Sequence, residues 1–361
     1  MMENDERRET NIQDVFFDPD ALSRYAADGS GAPYLSLCRV VLQEKGLYQI
    51  AGPAGTLPAQ VSGRFQYDAQ SASDFPAVGD YVLAELLDDT AVIHRLLPRK
   101  SVFHRKAAGL TQAEQVVAAN VDTVFLCMAL NNDFNLRRLE RYLAVAWHSG
   151  AEPVVLLTKR DLCPDLPDRL AQVESVAAGA EILSVSALEE DGCRAITPWL
   201  IPGKTLAFVG SSGVGKSTLI NGLLGEDRIK TNSIRNDDKG RHTTTHREML
   251  VLPCGAIVID TPGMRELGMW GDGEGMSSAF ADLEALAVRC RFKDCSHRRE
   301  PGCAVRAAVE RGELSEARLL SYQKLLAENA RSENAKSRLK AKEEKFKQIA
   351  KINRKNRKRP D

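Results

Sequence analysis

The amino-acid sequence predicts a multidomain protein that joins a small β-barrel, an α/β domain with a doubly wound parallel sheet, and a cysteine-rich helical subdomain. Residues 35–99 contain five short β-like runs separated by Gly, Pro and Asp turn signals. From Val121 onward, apolar strand-like runs alternate with helical patterns, as in parallel sheets. Cys290, Cys295 and Cys303 then lie within 14 residues of one another. A chain of 361 residues, 43% of them apolar, is long enough to bury more than one core.

The composition predicts a cytoplasmic protein without a membrane segment. No apolar run approaches the roughly 18 residues that cross a bilayer, and the first fifteen or so residues are charged where a signal peptide is apolar. The cysteines outside the cluster are typical of free thiols in a reducing compartment. The formal net charge is zero, but residues 331–361 carry 13 Lys and Arg against four Asp and Glu. We expect a monomer whose positive charge is concentrated in this tail.

The N-terminal part of the chain predicts a flexible extension followed by a barrel. Residues 1–33 are polar and lack a sustained hydrophobic period, so they are assigned to the extension. Residues 34–105 are assigned to an OB-type barrel, because five short strands in about sixty residues are typical of that fold; another small β domain stays open. The strand-like runs are LCRVVLQ (37–43), GLYQIAG (46–52), AQVSGRF (59–65), DYVLAELL (80–87) and TAVIHRLL (90–97).

The α/β domain is assigned to residues 106–282. The run VDTVFLCMAL (121–130) predicts a buried strand, and LRRLERYLAVAWHSG (136–150) predicts a helix that ends at Gly150. Ligands of such sheets bind at the carboxyl ends of the strands, so the residues that follow each strand are the candidates for a site. Further strands are predicted in PVVLLTK (153–159), EILSVSA (181–187), TLAFVG (205–210) and MLVLPCGAIVIDTPG (249–263).

The segment GSSGVGKST, Gly210–Thr218, matches the phosphate-binding loop G-x-x-x-x-G-K-[ST]. It lies between a predicted strand and a predicted helix, as the motif requires. Gly213 and Gly215 let backbone N–H groups face phosphates at a helix N-terminus. Lys216 is expected to neutralise the β- and γ-phosphate oxygens, and Ser217 to bind Mg²⁺. The loop therefore predicts the binding of a nucleoside triphosphate with magnesium, and its hydrolysis.

Two further motifs are assigned to the magnesium and γ-phosphate end of this site. Asp260 in DTPG closes an apolar strand, where a carboxylate can hold Mg²⁺ and Gly263 can meet the γ-phosphate. The polar stretch GRHTTTH (240–246) precedes it. One threonine of 243–245, assigned to Thr244, is expected to bind Mg²⁺ and sense the γ-phosphate, as switch I does in GTPases. A solvated polar loop is the alternative for this stretch.

The sequence TKRD, Thr158–Asp161, follows a predicted strand and favours guanine over adenine. Asp161 can accept hydrogen bonds from the N1–H and the exocyclic amine of guanine, which adenine does not offer in that arrangement. Lys159 would lie along the base, and Ser186–Ala187, after the next strand, would contact guanine O6 through the backbone. The residues expected to contact GTP are Thr158, Lys159, Arg160, Asp161, Ser186, Ala187, Gly210, Ser211, Ser212, Gly213, Val214, Gly215, Lys216, Ser217, Thr218 and Gly263.

The cysteine cluster reads Cys290-x4-Cys295-x-His297-x5-Cys303. Three thiolates and one imidazole are a set that closes a structural zinc site and leaves no open position for catalysis. Free thiols on a helical subdomain are the alternative, since the spacing departs from the commoner C-x2-C. Basic residues between the ligands would face outward and meet RNA phosphates.

The order of the motifs is TKRD, SVSAL, GSSGVGKST, GRHTTT and DTPG, whereas ordinary GTPases begin with the phosphate-binding loop. With the preceding barrel, the stretch NNDFNLRRLERYL and the cysteine cluster after DTPGMRELG, the chain closely resembles the ribosome small-subunit-dependent GTPase A family of circularly permuted GTPases. The resemblance covers residues from about 35 to 330. It implies a GTPase that acts in late maturation of the 30S ribosomal subunit, binds its rRNA and is stimulated by it. The implied cofactors are GTP, Mg²⁺ and one structural zinc ion.

Two positions depart from the pattern of the family. Thr158 stands where the NKxD motif has the Asn that contacts guanine N7. Met264 follows DTPG, and a thioether cannot orient water as the Gln of Ras-like proteins does. By the resemblance, His242 positions the attacking water and completes a catalytic set with Lys216 and Asp260. A solvent-facing loop histidine is the alternative for His242.

The C-terminal region is assigned to a zinc-binding subdomain, residues 283–331, and a basic helical or disordered tail, residues 332–361. The tail is expected to bind rRNA by neutralising phosphates, without reading sequence. Two other functions stay open on the residues alone. One is a P-loop ATPase or kinase with an unrelated substrate, and the other is an RNA-docking scaffold with a weak nucleotide switch.

Overall fold

The computed structural model describes residues 16–17, 23, 33–44, 46–106, 114–189, 192–226, 229, 247–260 and 274–330. The chain divides into two compact units, Met1–Gly268 and Met269–Asp361. Most of the predicted extension and the whole of the predicted tail lie outside the described residues. Within the described ranges, no helix has both the length and the apolar character needed to cross a bilayer.

The first unit begins with the predicted barrel. Its strands are β1 Leu35–Glu44, β2 Leu47–Gly52, β3 Gly55–Val61, β4 Tyr81–Leu86 and β5 Ala91–Leu96. They close in the order β1-β2-β3-β5-β4-β1, and only β3 and β5 run parallel to each other. Alternate side chains, among them Val40, Ile50, Val82 and Ile93, fill the interior. The OB-type barrel predicted from the five runs is therefore confirmed.

One predicted strand ends earlier than its sequence suggests. The run 59–65 was expected to be extended throughout, but β3 stops at Val61 and helix α1, Gly63–Asp68, begins. The cause is local, because the Ser62 hydroxyl oxygen accepts a 3.1 Å hydrogen bond from the backbone N–H of Phe65. A serine at this position satisfies one of the free N–H groups of a helix start.

Two short strands that the sequence did not predict follow the barrel. They are β6 Val102–Lys106 and β7 Glu114–Ala119, which pair with each other in antiparallel fashion. We call this pair the β6–β7 ribbon.

The predicted α/β domain forms a sheet with strand order β10-β9-β8-β11-β13-β12. Strands β8, β9, β10, β11 and β13 are parallel, whereas β12 is antiparallel to β13 and, on its other side, to β1 of the barrel. Residues 249–260, the described part of the run predicted as one strand, thus form a hairpin with a turn near Gly255. The strands are β8 Thr123–Ala129, β9 Glu152–Thr158, β10 Glu181–Ser184, β11 Thr205–Gly210, β12 Arg247–Val251 and β13 Ile257–Asp260; the helices are α2 Leu136–Ser149, α3 Leu166–Glu174 and α4 Lys216–Leu224, with 3₁₀ turns at Ala72–Asp74, Arg160–Leu162 and Arg194–Trp199.

A buried polar cluster joins the barrel to the α/β sheet. Arg39 of β1 is 1% exposed, and its guanidinium donates a 2.8 Å hydrogen bond to the Thr205 hydroxyl at the start of β11. The same group donates to the Gly79 carbonyl oxygen at 3.3 Å and lies over the ring of Tyr81. A Cβ atom on Gly79 would lie 2.0 Å from the carbonyl oxygen of Ala119, so glycine is required at this approach. The barrel and the sheet are therefore packed as one body.

The second unit is helical. Helices α5 Glu274–Ala279, α6 Ala281–Ala287 and α7 Ala304–Glu310 precede a further helical stretch, residues 316–330. Arg318 on that stretch donates two 2.7 Å hydrogen bonds to the carboxylate of Asp282, and its guanidinium lies over the ring of Phe280. Phe280 and Leu283 are fully buried. These contacts hold the helices around the loop that carries the cysteine cluster.

Candidate functional site: a nucleotide-binding loop and a cysteine cluster

The phosphate-binding loop connects β11 to α4 at the carboxyl end of the sheet. Gly213 and Gly215 have φ angles of 75° and 104°, values that favour glycine. A Cβ atom on Gly210 would lie 2.5 Å from the carbonyl oxygen of Cys127 on β8, so glycine lets the two strands approach. The Lys216 amine donates to the carbonyl oxygens of Gly210 and Ser211, both 2.7 Å away. This folded lysine is held over the loop, where phosphate oxygens would replace its two acceptors.

The TKRD segment is fastened to the phosphate-binding loop by two side chains. Thr158, only 3% exposed, donates a 2.6 Å hydrogen bond from its hydroxyl to the carbonyl oxygen of Val214. Lys159 has a left-handed backbone, with φ of 58°, and its amine donates to the carbonyl oxygen of Gly213 at 2.8 Å. Two residues that the sequence placed at the guanine base thus also fix the shape of the loop that binds phosphates.

The two predicted base-reading segments lie against each other. The Ser186 hydroxyl donates a 2.6 Å hydrogen bond to the Asp161 carboxylate. The backbone N–H of Arg160 donates to the carbonyl oxygen of Val185, 3.2 Å away, and the Arg160 guanidinium forms an ion pair with Glu189. The Asp161 carboxylate is oriented by Ser186 in this way and keeps further lone pairs for a ligand.

Asp133 is a part of this region that sequence reasoning did not single out. Its carboxylate accepts a hydrogen bond from the hydroxyl of Ser211 in the phosphate-binding loop and two from Arg138, at 2.8 and 2.9 Å. Burial opposes ionisation, but these hydrogen bonds outweigh it and lower the pKa of Asp133. The available signal was its position just after β8, at the same sheet edge as the other motifs.

Several predicted site residues lie outside the described residues. They are His242, Thr243–Thr245, Gly263 and Met264, together with the side chain of Asp260. The backbone of Asp260 is described as the last residue of β13, paired with Glu248 of β12.

The second candidate site is the cysteine cluster of the helical unit. The donor atoms of Cys290, Cys295, His297 and Cys303 all lie within 4.8 Å of one another. The His297 Nδ1 atom is 3.6 Å from the sulfur of Cys290 and 3.5 Å from that of Cys303, and the two sulfurs are 3.9 Å apart. A tetrahedron with Zn–S of about 2.3 Å and Zn–N of about 2.0 Å has edges of about 3.8 Å between sulfurs and about 3.5 Å between sulfur and nitrogen. The distances among Cys290, His297 and Cys303 match that geometry, and the fourth donor, Cys295, lies within 4.8 Å of the others.

The thiols of the cluster differ in acidity. Desolvation raises the pKa of Cys290, but backbone N–H groups of Val305 and Ala304 at the start of α7 lower it more. For Cys295, desolvation and the neighbouring thiols raise the pKa to about 11, so binding of a cation there would release a proton. Burial lowers the pKa of His297 against the opposing charges of Glu300 and Glu284, so its ring is neutral at pH 7 and keeps a nitrogen lone pair. His297 also has a φ of 56°, a left-handed conformation that is uncommon without glycine. The four side chains could hold a metal ion.

Sequence similarity to known proteins shows the family to which this chain belongs. Residues 96–270 match the RsgA GTPase family. A Lactiplantibacillus plantarum protein named small ribosomal subunit biogenesis GTPase RsgA 2 is 52% identical over 295 residues, which cover 81% of this chain and 83% of that protein. The small ribosomal subunit biogenesis GTPase RsgA of Opitutus terrae is 49% identical over 304 residues, with the same two coverages of 81% and 83%. The chain belongs to the RsgA GTPase family.

Solved structures agree with this RsgA assignment. YjeQ from Thermotoga maritima is 27% identical and has a TM-score of 0.62, with 81% of this chain and 98% of that chain covered. YloQ, described as a circularly permuted GTPase, has a TM-score of 0.59 at 24% identity and shares the fold over 83% of this chain and 96% of its own. The permutation is visible in the chain order, because TKRD and SVSAL, which follow β9 and β10, precede β11 and its phosphate-binding loop, whereas ordinary GTPases begin with that loop. As an RsgA GTPase, the chain hydrolyses GTP and uses Mg²⁺.

Proposed function

We propose that this RsgA-family GTPase acts in the late maturation of the small ribosomal subunit, and that binding to that subunit stimulates its GTP hydrolysis. The observation that carries the proposal is the Asp161 carboxylate, which Ser186 orients as an acceptor for guanine, on a segment that Thr158 joins to the phosphate-binding loop. It supports a guanine nucleotide as the ligand of a fold whose relatives are named small ribosomal subunit biogenesis GTPases.

Each side chain of the nucleotide site has a proposed role. Lys216 exchanges its bonds to loop carbonyls for bonds to the β- and γ-phosphates, and Ser217 binds Mg²⁺. Asp161 and Lys159 hold the guanine, with Ser186–Ala187 beside O6. At the γ-phosphate end, Asp260 and Thr244 complete the Mg²⁺ shell, and Gly263 contacts the phosphate. His242 positions the attacking water in the place that Met264 cannot fill.

The cysteine cluster is proposed to bind one structural zinc ion. Cys290, Cys295, His297 and Cys303 fill all four positions of a tetrahedral site, so no position is left for catalysis. The support comes from the donor set and from sulfur–sulfur and sulfur–nitrogen distances of the right length. The ion would fix the basic loop that carries Arg291, Lys293, Arg298 and Arg299.

The domain roles follow from these sites. The barrel (34–105), the zinc-binding subdomain (283–331) and the basic tail (332–361) are proposed to bind rRNA of the subunit, while residues 106–282 bind and hydrolyse GTP. The net positive charge of the tail supports phosphate binding. The protein would act as a monomer in the cytoplasm, where small subunits mature, and the role of residues 1–33 lies outside this assignment.

Replacement of Lys216 tests the proposal in cells. A strain that depends on this protein is supplied with wild type or with Lys216→Ala, and ribosomal particles are separated by sedimentation. The proposal expects immature small subunits to accumulate with the variant, at equal protein levels. Normal subunits with Lys216→Ala would favour an RNA-docking scaffold instead. Competition between GTP and ATP for the purified protein separates the proposal from a P-loop ATPase, which would bind both equally.

A further inference from the structure

Arg247 occupies a junction between the nucleotide domain and the two β structures that precede it. It is the first residue of β12 and directly follows the GRHTTTH stretch in sequence. Its guanidinium donates to the side-chain oxygen of Gln43 on β1 at 3.2 Å, to the backbone oxygen of Val116 on β7 at 3.1 Å, and to the side-chain oxygen of Gln115 at 3.2 Å. One side chain therefore fastens β12 to both the barrel and the β6–β7 ribbon.

The same junction leads by backbone pairing to the magnesium end of the nucleotide site. In the ladder between β1 and β12, Gln43 pairs with Arg247 and Leu42 pairs with Glu248. In the next ladder, Glu248 pairs with Asp260, the last residue of β13. Neighbouring strands are about 4.8 Å apart, so the barrel residue Leu42 lies about 10 Å from Asp260 across two ladders. A shift of β1 would move the backbone that carries Asp260.

The chemistry of the junction requires an arginine. The three acceptors are neutral oxygens on three different residues, and the two terminal nitrogens of the guanidinium reach them from fixed positions, whereas lysine has one nitrogen on a flexible stem. Burial, and then the like charge of Arg105 on β6, lower the pKa of Arg247. The three hydrogen bonds offset the free-energy cost of burying this cation. Because they are directional, they fix the position of β12 relative to the acceptors.

We infer that Arg247 is a positioning residue that couples the barrel and the β6–β7 ribbon to the Mg²⁺ end of the GTP site through Asp260. The inference rests on the proposed function only in taking Asp260 as a group that holds Mg²⁺. Coupling of this kind is reciprocal. Docking of the barrel on a partner would change the affinity of the site for Mg²⁺ and GTP. Binding of Mg²⁺ and GTP would in turn change the affinity of the barrel for that partner. Arg247 contacts neither substrate nor metal in this role.

The test measures the Mg²⁺ dependence of GTP hydrolysis by the full-length protein in the absence of ribosomal subunits. For Arg247→Gln, the Mg²⁺ concentration at half-maximal rate is expected to rise about fivefold, while the affinity for GDP in EDTA stays at the wild-type value. Arg247→Lys should resemble Arg247→Gln, because one nitrogen on a flexible stem does not replace the two fixed nitrogens that reach the three acceptors. Arg64→Gln, which removes an exposed barrel arginine, is the matched control and should leave both quantities unchanged.

A second arm follows backbone amide hydrogen exchange in β1. In wild type, Mg²⁺ with a non-hydrolysable GTP analogue should slow exchange at residues 40–44 relative to EDTA with GDP. Arg247→Gln should abolish this difference in β1, while exchange in α4 should still slow when the nucleotide binds. Gln43→Ala removes one acceptor of Arg247 and should reduce the difference in β1 exchange. This milder variant keeps the test valid if the Arg247 variants misfold. The inference would be overturned if wild type and Arg247→Gln showed the same Mg²⁺ dependence. It would also be overturned if amide exchange in β1 of the wild type were the same with Mg²⁺ and the GTP analogue as with EDTA and GDP. Absence of stimulation by small subunits would instead refute the proposed function, since neither arm contains subunits.

Discussion

The hydroxyl of Thr158 donates a 2.6 Å hydrogen bond to the carbonyl oxygen of Val214, 56 positions further along the chain. Thr158 ends β9, and Val214 lies in the phosphate-binding loop, so this bond joins the segment predicted to read the base to that loop. The sequence showed Thr158 as an expected GTP contact and as a departure from the NKxD motif, without its bond to the loop. The structure shows that the substituted side chain still holds the loop.

Removal of the Thr158 hydroxyl is expected to weaken nucleotide binding. Thr158→Val keeps the shape of the side chain but leaves the Val214 carbonyl oxygen without this donor, at a cost of roughly 1–3 kcal/mol. If most of that cost falls on the bound form, the dissociation constant for GDP rises about tenfold, since about 1.4 kcal/mol is a factor of ten. Thr158→Ser retains the hydroxyl and should bind as wild type does. Stopped-flow measurement with a fluorescent GDP analogue checks this; equal affinities for the Val and Ser variants would contradict it.

Asp161→Asn is expected to change the preferred base. An amide offers one acceptor and one donor where the carboxylate offers two acceptors, so it matches the C2 carbonyl of xanthine better than the amine of guanine. The ratio of GTP to XTP affinity should fall by about 100-fold or more, because a mismatched base leaves buried polar groups without hydrogen-bond partners. Asp133→Asn alters another carboxylate next to the loop and should leave the ratio unchanged. Competition binding with both nucleotides decides this, and an unchanged ratio for Asp161→Asn would remove Asp161 from base reading.

Purified protein is expected to contain one equivalent of zinc that depends on Cys303. Cys303 is buried in the cluster, and Cys303→Ser should lose the metal and destabilise the helical unit, because structural zinc contributes directly to folding. Cys254 is exposed and outside the cluster, so Cys254→Ser should keep one zinc. Because the ligands bind metal in their deprotonated forms, zinc should be released as the pH falls. Elemental analysis measures the metal content, and full zinc occupancy in Cys303→Ser would contradict the assignment.

Loss of Arg99 is expected to destabilise the barrel. The Asp80 carboxylate is fully buried and accepts hydrogen bonds from Arg99 at 2.8 and 2.7 Å and from the backbone N–H of Ala77 at 2.8 Å. Arg99→Ala leaves a buried carboxylate without its counter-ion, which costs about 3–5 kcal/mol. Urea denaturation measures this, with the exposed Arg64→Ala as a control that should change stability by less than about 0.5 kcal/mol.

The pH dependence of the Arg99 variant has a defined sign. Burial already raises the pKa of Asp80, against the opposing charge of Arg99, and the variant raises it further. A folded pKa above the unfolded one gives stability that is present at low pH and is lost as the pH rises. The deficit of Arg99→Ala should therefore grow as the pH rises above the folded pKa of Asp80 in the wild type, which itself lies above the unfolded value of about 4. A deficit that shrinks with rising pH would show that Asp80 is not the affected group.

Local patterns in the sequence were enough to predict most elements. The β11 strand, the glycine-rich loop and α4 could be placed because glycine and lysine spacing has a direct backbone cause. The four residues of the cysteine cluster could be singled out for a similar reason, since they lie close together in sequence, and the structure brings their donor atoms within 4.8 Å of one another. The barrel was also predictable, because alternating apolar residues and turn signals recur along its five strands.

The contacts between distant residues could not be predicted in this way. The bonds of Asp133 to Ser211 and of Arg247 to Gln43 join residues 78 and 204 positions apart, and nothing local marks them. The β6–β7 ribbon has mixed polar and apolar residues and is held partly through Arg247, so its own sequence is a weak strand signal. The early end of β3 depended on the hydrogen bond of a single serine, Ser62.

The most direct test of the central proposal is the rate of GTP hydrolysis with and without purified small ribosomal subunits, at physiological Mg²⁺ and salt. Wild type should hydrolyse GTP slowly alone and at least about tenfold faster with small subunits. This acceleration is smaller than the acceleration that other GTPases gain from their activating partners. Large subunits should have no effect, and Lys216→Ala should be inactive in every condition. An equal wild-type rate with and without small subunits would contradict the account.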